Sequence, residues 1–92
     1  GINQVAGHDV LFPLYPNPAN TNVSLSYQLP PNEIRGTLRL YSTIGQVIRS
    51  RDISSNKGTI EEDVTALLGG IYYYTLSVNG VVMATNKLAI IR

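Results

Sequence analysis

The stretch that decides the fold is "IYYYTLSVNGVVMATNKLAIIR", which runs from Ile71 to Arg92. Its first half is rich in aromatic and β-branched residues, which favour β-strands. Asn79-Gly80 follows, and this dipeptide is a strong β-hairpin signal because a type I′ turn needs positive φ at both positions. The stretch therefore predicts a C-terminal hairpin. The residues predicted on its buried face are Tyr72, Tyr74, Leu76 and Val78.

The register of this hairpin contains a conflict. With a two-residue loop and unbroken pairing, Lys87 would lie on the buried face, and Leu88 and Ile90 would turn outward. A slip of one residue flips every side chain, so one extra residue would return the apolar side chains to the core. We therefore predict a β-bulge near Ala84–Asn86.

Upstream of the hairpin, the same two-residue alternation recurs between turn signals. The further predicted strands are Val10–Leu14 at a sheet edge, Val23–Leu29, Thr37–Tyr41, Gln46–Ile53 and Thr59–Val64. Turns are predicted at Ser42–Gly45 and Ser54–Gly58, and Asp63–Gly70 has room for one helical turn. Short strands at this spacing without a long helix predict an all-β fold, an Ig-like antiparallel β-sandwich of about seven strands.

Length and composition limit the domain organisation and the classes of partner. A chain of 92 residues favours one domain, here residues 10–92, with the polar, glycine-containing residues 1–9 as a linker from an upstream cargo domain. The net charge of +1 argues against a nucleic-acid partner. The absence of cysteine excludes disulfides and thiolate chemistry.

Residues that could carry chemistry are few, and we expect no enzyme activity, no metal and no cofactor. The single histidine, His8, lies in the predicted linker, where it cannot be held rigidly against a nucleophile. Glu61 and Asp63 would share one strand face with Glu62 pointing away, which is typical of a solvated charged face. If that strand pairs with the preceding one, Arg51 and Arg49 would face these two acids.

An aromatic sugar platform is the remaining chemical candidate. Alternation places Tyr72 and Tyr74 in the core and leaves only Tyr73 facing outward. One exposed tyrosine, in a chain without tryptophan, is a weak signal for a ligand. Core packing is the simpler interpretation.

The entry to the first long strand, "LYPNPANTNVSLSY" from Leu14 to Tyr27, is stiff and chemically inert. Pro16 and Pro18 each fix their own φ and bias the preceding residue towards extended geometry. Pro16-Asn17-Pro18 therefore predicts a fixed corner where the linker ends and the sandwich begins, with Tyr15 packed behind it.

Four motifs in this order resemble one protein family. They are Tyr15-Pro16-Asn17-Pro18, "LYSTIGQVI" at Leu40–Ile48, "DVTALLGGIYYYTLSVNG" at Asp63–Gly80, and the tail "KLAIIR" at Lys87–Arg92. Together they resemble the C-terminal sorting domain of the type IX (Por) secretion system, type A class, over about residues 10–92. Two positions depart from the family pattern. Asn20–Asn22 stands where many members have a glycine, and Asn86-Lys87 supplies one basic residue where members often have two.

The resemblance implies a secretion signal that directs an attached cargo protein through the outer-membrane translocon, from the periplasm to the exterior or the cell surface. The implied partners are the translocon, a shuttle protein and a sortase-like cysteine peptidase that removes the domain. We expect the sorting domain itself to be monomeric. The signal residues implied are Tyr15, Pro16, Asn17, Pro18, Gly70, Tyr72, Gly80, Lys87, Leu88, Ile90 and Ile91.

The physical pattern is compatible with this role. A recognition element benefits from rigidity, because ordering on binding costs affinity. The hairpin presents Lys87–Arg92 at a chain end, where strand addition by a partner is one possible mode. Two other functions remain open from the residues alone: a structural Ig-like or fibronectin-like spacer, and a carbohydrate-binding adhesin module that uses Tyr73.

Overall fold

Six β-strands form in the computed structural model, which describes Leu11 and residues 13–92. They are β1 (Asn22–Gln28), β2 (Gly36–Ser42), β3 (Val47–Ile53), β4 (Lys57–Asp63), β5 (Gly70–Val78) and β6 (Val81–Ile90). One sheet pairs β1 with β4, and the other has the order β3-β2-β5-β6, with every pair antiparallel. The predicted all-β sandwich is confirmed, with six strands in the described chain rather than seven.

The core lies between the two sheets and is built from the alternating apolar residues. Val23, Leu25 and Tyr27 point inward from β1, as predicted. Leu38 and Leu40 face them from the other sheet. Burying each such side chain contributes about 1.5–3 kcal/mol, so these strands can fold only in the register that turns this face inward. The rest of the buried apolar set is Leu11, Leu14, Ala19, Leu29, Ile53, Val64, Tyr72, Tyr74, Leu76, Val78, Leu88 and Ile90.

The C-terminal hairpin has the predicted turn. Asn79 and Gly80 have φ values of 53° and 78°, the left-handed conformation that a type I′ turn requires. Tyr72, Tyr74 and Leu76 are buried on the predicted face of β5.

The predicted bulge in this hairpin is present but lies closer to the turn. Leu76 pairs with Ala84 and Ser77 with Val82, which leaves Met83 as the extra residue. The side chain of Met83 is exposed, so an unpaired residue there disturbs no core contact. As predicted, the one-residue shift returns Leu88 and Ile90 to the core.

The pairing guessed for the fourth strand is wrong. β4 pairs with β1, with Leu25 opposite Ile60, and does not return along β3. The side chain of Asn56 holds the crossing between the sheets, because its Nδ2 donates to the carbonyl oxygens of Pro30 (3.0 Å) and Glu33 (2.6 Å). The turn at Ser42–Gly45 is confirmed, with the Gly45 N–H donating to the Ser42 carbonyl oxygen at 3.0 Å.

The segment between β4 and β5 has a turn in place of the expected helical turn. Asp63 Oδ1 accepts from both the backbone N–H of Thr65 (2.8 Å) and its hydroxyl (2.6 Å). This local side-chain bond competes with helical pairing in a segment too short to nucleate a helix. Among the residues described, none belongs to a helix that could cross a membrane.

Several predictions fall on residues outside this description. They are the linker at residues 1–9, with His8, and part of the edge strand at Val10–Leu14. Within that predicted strand, Leu11 forms an isolated antiparallel bridge with Tyr27.

Candidate sorting surface

Three of the predicted signal residues are core residues. Leu88 and Ile90 are buried between the sheets. Tyr72 is buried as well, and its hydroxyl donates to the Leu68 carbonyl oxygen at 2.7 Å. These side chains maintain the fold and are not accessible to a partner.

Two other predicted signal residues are glycines that allow an unusual backbone conformation. Gly70 has a φ of 151° and Gly80 a φ of 78°, and both values lie in the region that side-chain-bearing residues rarely adopt. No atom of the described residues lies within 4 Å of a Cβ built on either glycine, so the constraint is the backbone conformation and not close packing.

The entry segment connects the edges of both sheets. Tyr15 pairs antiparallel with Ser24 of β1. The Tyr15 N–H donates to the Ser24 carbonyl oxygen at 3.1 Å, and the Ser24 N–H donates to the Tyr15 carbonyl oxygen at 2.6 Å. Only a few residues later, Ala19 forms a parallel bridge with Ile90 of β6. The chain therefore crosses from one sheet to the other at the predicted Pro-Asn-Pro corner, where the Tyr15–Pro16 and Asn17–Pro18 peptide bonds are both cis.

Tyr15 does not pack behind this corner, contrary to the prediction. Its relative exposure is 76%. The neighbouring Leu14 is buried and takes the interior position. The two residues sit on opposite sides of an extended segment, so only one of them can point into the core.

Asn17 joins this corner to the last strand through its side-chain amide. Its Nδ2 donates to the carbonyl oxygen of Lys87 at 2.9 Å, and its Oδ1 accepts from the N–H of Ala89 at 3.0 Å. The amide thus occupies the place of a peptide group in a neighbouring strand. Ala19 continues the pattern, donating to the Ala89 carbonyl oxygen (2.8 Å) and accepting from the N–H of Ile91 (2.9 Å).

These contacts bring two motifs that lie far apart in sequence into one surface. We call it the composite edge, formed by Tyr15–Ala19 and Lys87–Ile91. Because Asn17 and Ala19 bond to the backbone groups of Lys87, Ala89 and Ile91, the outer side of the last strand is already paired there. Strand addition by a partner at this edge, the mode suggested by the sequence, would have to displace those contacts.

The two basic residues of the tail have different environments. Lys87 is exposed, and within the described chain it forms no ion pair. Arg92 instead donates to backbone carbonyl oxygens: its Nε to Leu67 at 3.0 Å, and its two Nη groups to Val64 and Asn20. Arg92 therefore anchors the end of the tail, and Lys87 is the cation available to a partner.

The opposite side of the sandwich is joined by a buried carboxylate. Glu62 of β4 is 4% exposed and lies 3.4 Å from Arg49 Nη1 and 3.1 Å from Arg51 Nε, both on β3. Tyr74 donates to the same carboxylate at 2.9 Å. Burial, followed by the charge of Glu62, raises the pKa of the Tyr74 phenol.

This network corrects the predicted charge pairing. Arg49 and Arg51 form ion pairs with Glu62 and not with the exposed carboxylates of Glu61 and Asp63, because β3 and β4 belong to different sheets. Arg49 Nη1 does reach Asp63, but through the backbone, donating to its carbonyl oxygen at 2.8 Å. The Thr65 hydroxyl and then its backbone N–H hold the pKa of Asp63 below its ordinary value. Among the described residues, no group of three or more histidine, cysteine or acidic side chains is placed to hold a metal ion.

The sequence match agrees with this arrangement of motifs. Residues 13–91 match the model of the secretion system C-terminal sorting domain family, which covers both halves of the composite edge. The chain belongs to this family. None of the curated proteins matches the sequence.

Family membership establishes the general role of this sorting domain. It is a C-terminal signal for type IX secretion, which carries proteins through the outer membrane to the cell surface or the exterior. Its family is not enzymatic, and its interaction partners belong to the type IX machinery.

Proposed function

We propose that the composite edge is the part of the sorting domain that the type IX machinery recognises. The observation that carries this proposal is the bonding of the Asn17 amide to Lys87 and Ala89. It makes one rigid surface of the two motifs. Because this surface is already ordered, it loses little conformational entropy when a partner binds, which favours affinity.

Exposure separates the contact residues from the rest of the signal. Tyr15, Pro16, Pro18, Lys87 and Ile91 are exposed on or beside the composite edge. Tyrosine is enriched among the residues that contribute most of the binding energy at protein interfaces. Lys87 is an exposed cation that forms no ion pair within the described chain. We assign Tyr15 and Lys87 as the principal contacts.

The remaining steps follow the family resemblance. The domain is joined at its N-terminal side to a cargo through the linker at residues 1–9. The shuttle protein and the translocon carry this cargo out of the periplasm, and a sortase-like cysteine peptidase cleaves upstream of the sandwich. The domain itself is a substrate in these steps.

A truncation cannot test this proposal cleanly. Deleting Lys87–Arg92 removes two core side chains, Leu88 and Ile90, together with the Arg92 anchor. The truncated domain would unfold, and an unfolded domain is expected to fail for reasons unrelated to recognition.

Point substitutions separate recognition from stability. A reporter fused upstream of the domain in a type IX-competent host should remain in the periplasm when it carries Lys87→Gln and Tyr15→Ser, although the purified variant melts close to the parent. Lys57→Gln, an exposed lysine on β4, is the matched control and should be secreted normally. If the double variant reaches the surface at the parent level, the composite edge is not the recognised surface.

Removal of the domain is tested in the same strain. Mass spectrometry of the released C-terminal fragment should give an N-terminus upstream of Leu14. Finding only full-length fusion at the cell surface would contradict cleavage, while leaving recognition by the composite edge intact.

A further inference from the structure

Apart from Lys87, the residues on the outer face of the four-stranded sheet have no part in the proposed sorting contact. Tyr41 of β2 and Tyr73 of β5 are direct cross-strand partners, and both point away from the core. Lys87 of β6 is the partner of Tyr73 on the other side. The sequence predicted one outward tyrosine here. The pairing of β2 with β5 adds the second.

Basic residues flank the two aromatic rings. Arg39 lies one row further along the face, with Thr75 as its cross-strand partner. Among the described residues, neither Arg39 nor Lys87 forms an ion pair. Unpaired cations beside half-buried aromatic rings favour an anionic ligand that can also stack.

The spacing of these cations is too wide for a single phosphate or sulfate group. Arg39 and Lys87 are two strands apart across the sheet and two residues apart along it. Strand spacings of about 4.8 Å and rises of about 3.3 Å per residue place them roughly 12 Å apart. A ligand that meets both must extend over the tyrosines and carry its negative charges at intervals.

A concave region continues the face beyond Arg39. It has a volume of about 600 Å³, and its lining includes Arg35, Thr37 and Ser77. Arg35 adds a third cation that forms no ion pair in the described chain. Hydroxyl and guanidinium groups therefore extend the face as a polar groove, whose lining also includes the acidic residue Asp52.

Thr75, in the middle of the face, has an unsatisfied polar atom. Its Oγ1 is shielded from solvent and has no hydrogen-bond partner among the residues that the structure describes. Buried polar groups in proteins are normally paired, so this hydroxyl has an unused capacity beside Arg39. A ligand hydroxyl that displaced the covering side chains would satisfy it.

We propose that this tyrosine–cation face, formed by Arg39, Tyr41, Tyr73, Thr75 and Lys87, binds an acidic oligosaccharide. The centre of the face consists of the aromatic rings of Tyr41 and Tyr73 and the hydroxyl of Thr75, and the exposed aliphatic side chains of Val47 and Ile71 lie at its margins. Rings stack on sugar, hydroxyls bond to it, and the spaced cations meet its carboxylates. Lys87 belongs to both surfaces, so the test of this binding uses Arg39 and Tyr73, which lie outside the composite edge.

Calorimetric titration of the purified chain with tetragalacturonate, an acidic sugar chain, tests the proposal. We expect saturable binding with a Kd below about 1 mM that weakens as salt is added. Arg39→Gln and Tyr73→Ala should each weaken it by about fivefold or more, in keeping with loss of a charge-assisted or aromatic contact. Lys57→Gln, an exposed lysine on the other sheet, should bind within about twofold of the parent under the same salt screening.

Controls make the choice of ligand falsifiable. Neutral maltotetraose should not bind measurably, and tetraglutamate should bind more weakly than the acidic sugar. No saturable binding, equal binding of the neutral sugar, or tighter binding of the acidic peptide would overturn the proposal. Tyr73→Phe keeps the ring and should retain most of the affinity, and circular dichroism checks that each variant is folded.

Discussion

The backbone N–H of Ala89 donates to the side-chain oxygen of Asn17 at 3.0 Å, across 72 positions of sequence. The same amide donates to the Lys87 carbonyl oxygen. Through these two bonds an asparagine acts as a short length of β-strand and pairs the outer side of the last strand. Since unpaired edges invite unwanted association, the contact also protects this end of the sheet.

Replacement of Asn17 by alanine should destabilise the domain by about 1–2 kcal/mol, since two hydrogen bonds are lost at an exposed site. Urea unfolding measures this change. Hydrogen exchange should also show faster exchange of the Ala89 amide proton, with little change at Leu76. Asn22→Ala is the control, because Asn22 is exposed and its side chain bonds to no described residue. Equal loss in both variants would mean that the Asn17 bridge adds nothing.

Deletion of Met83 should leave the domain folded with the same strand register. Met83 is the unpaired residue of the bulge, and the pairs on either side of it stay opposite each other when it is removed, so Leu88 and Ile90 remain on the buried face. Insertion of one alanine after Lys87 should instead turn Leu88 and Ile90 outward, because a shift of one residue flips every side chain beyond it. Loss of two core side chains costs about 4 kcal/mol or more, a large share of a small domain's stability. In thermal melts the deletion variant should stay close to the parent and the insertion variant should not fold; a deletion variant that fails to fold would contradict this account of the register.

Glu62→Gln should destabilise the domain by about 1–3 kcal/mol in urea unfolding. The amide cannot match the carboxylate as a partner for two guanidinium groups and the Tyr74 hydroxyl, and the tyrosine lies in the core. Arg49 and Arg51 are partly exposed and can turn to solvent, which keeps the cost below that of a fully buried pair. Glu61→Gln on the exposed face should change stability by less than about 0.5 kcal/mol.

Asp63 should make stability depend on pH at the acid end. The pKa of its carboxyl is held below the ordinary value of 3.8 in the folded chain. A lowered folded pKa means that the contribution is complete above the unfolded value and is lost as the pH falls through the folded one. The stability difference between the parent and Asp63→Ala should therefore be constant at neutral pH and shrink below pH 3.8.

Thr65→Ala provides the check on this cause. It removes the hydroxyl donor and keeps the carboxylate, so part of the acid dependence should disappear with it. An undiminished difference between the parent and Asp63→Ala at pH 2 would contradict the assignment, since about that pH range protonates ordinary carboxyls.

Periodicity was enough to predict the strands, the buried faces and the need for a bulge. Alternation determines which residues of a strand face inward, and the apolar set of β5 and β6 is consistent with only one register. The exact bulge position was not predictable in this way. Its position at Met83 depends on where an unpaired residue disturbs the least packing, which is a tertiary property.

The pairing between strands that are distant in sequence could not be predicted from the sequence. The prediction that β4 returns along β3 followed from the short turn between them. In the structure β4 pairs with β1 in the other sheet, and the side chain of Asn56 bonds to the carbonyl oxygens of Pro30 and Glu33 at this crossing. The buried position of Glu62 follows from that crossing. For the same reason, neither the Asn17 bridge nor the Tyr41–Tyr73 pair could be found before the topology was known.

The parallel bridge between Ala19 and Ile90 has a mechanical consequence. Consider a force that pulls the Pro-Asn-Pro corner towards the N-terminus and the tail towards the C-terminus. Because the two segments run parallel, this force slides them past each other along their length. The hydrogen bonds of Asn17 and Ala19 then carry the load together and do not open one after another. Forced unfolding is governed by the unfolding rate. A cargo pulled by its sorting domain would thus load the domain in shear, the direction in which this edge resists rupture most strongly.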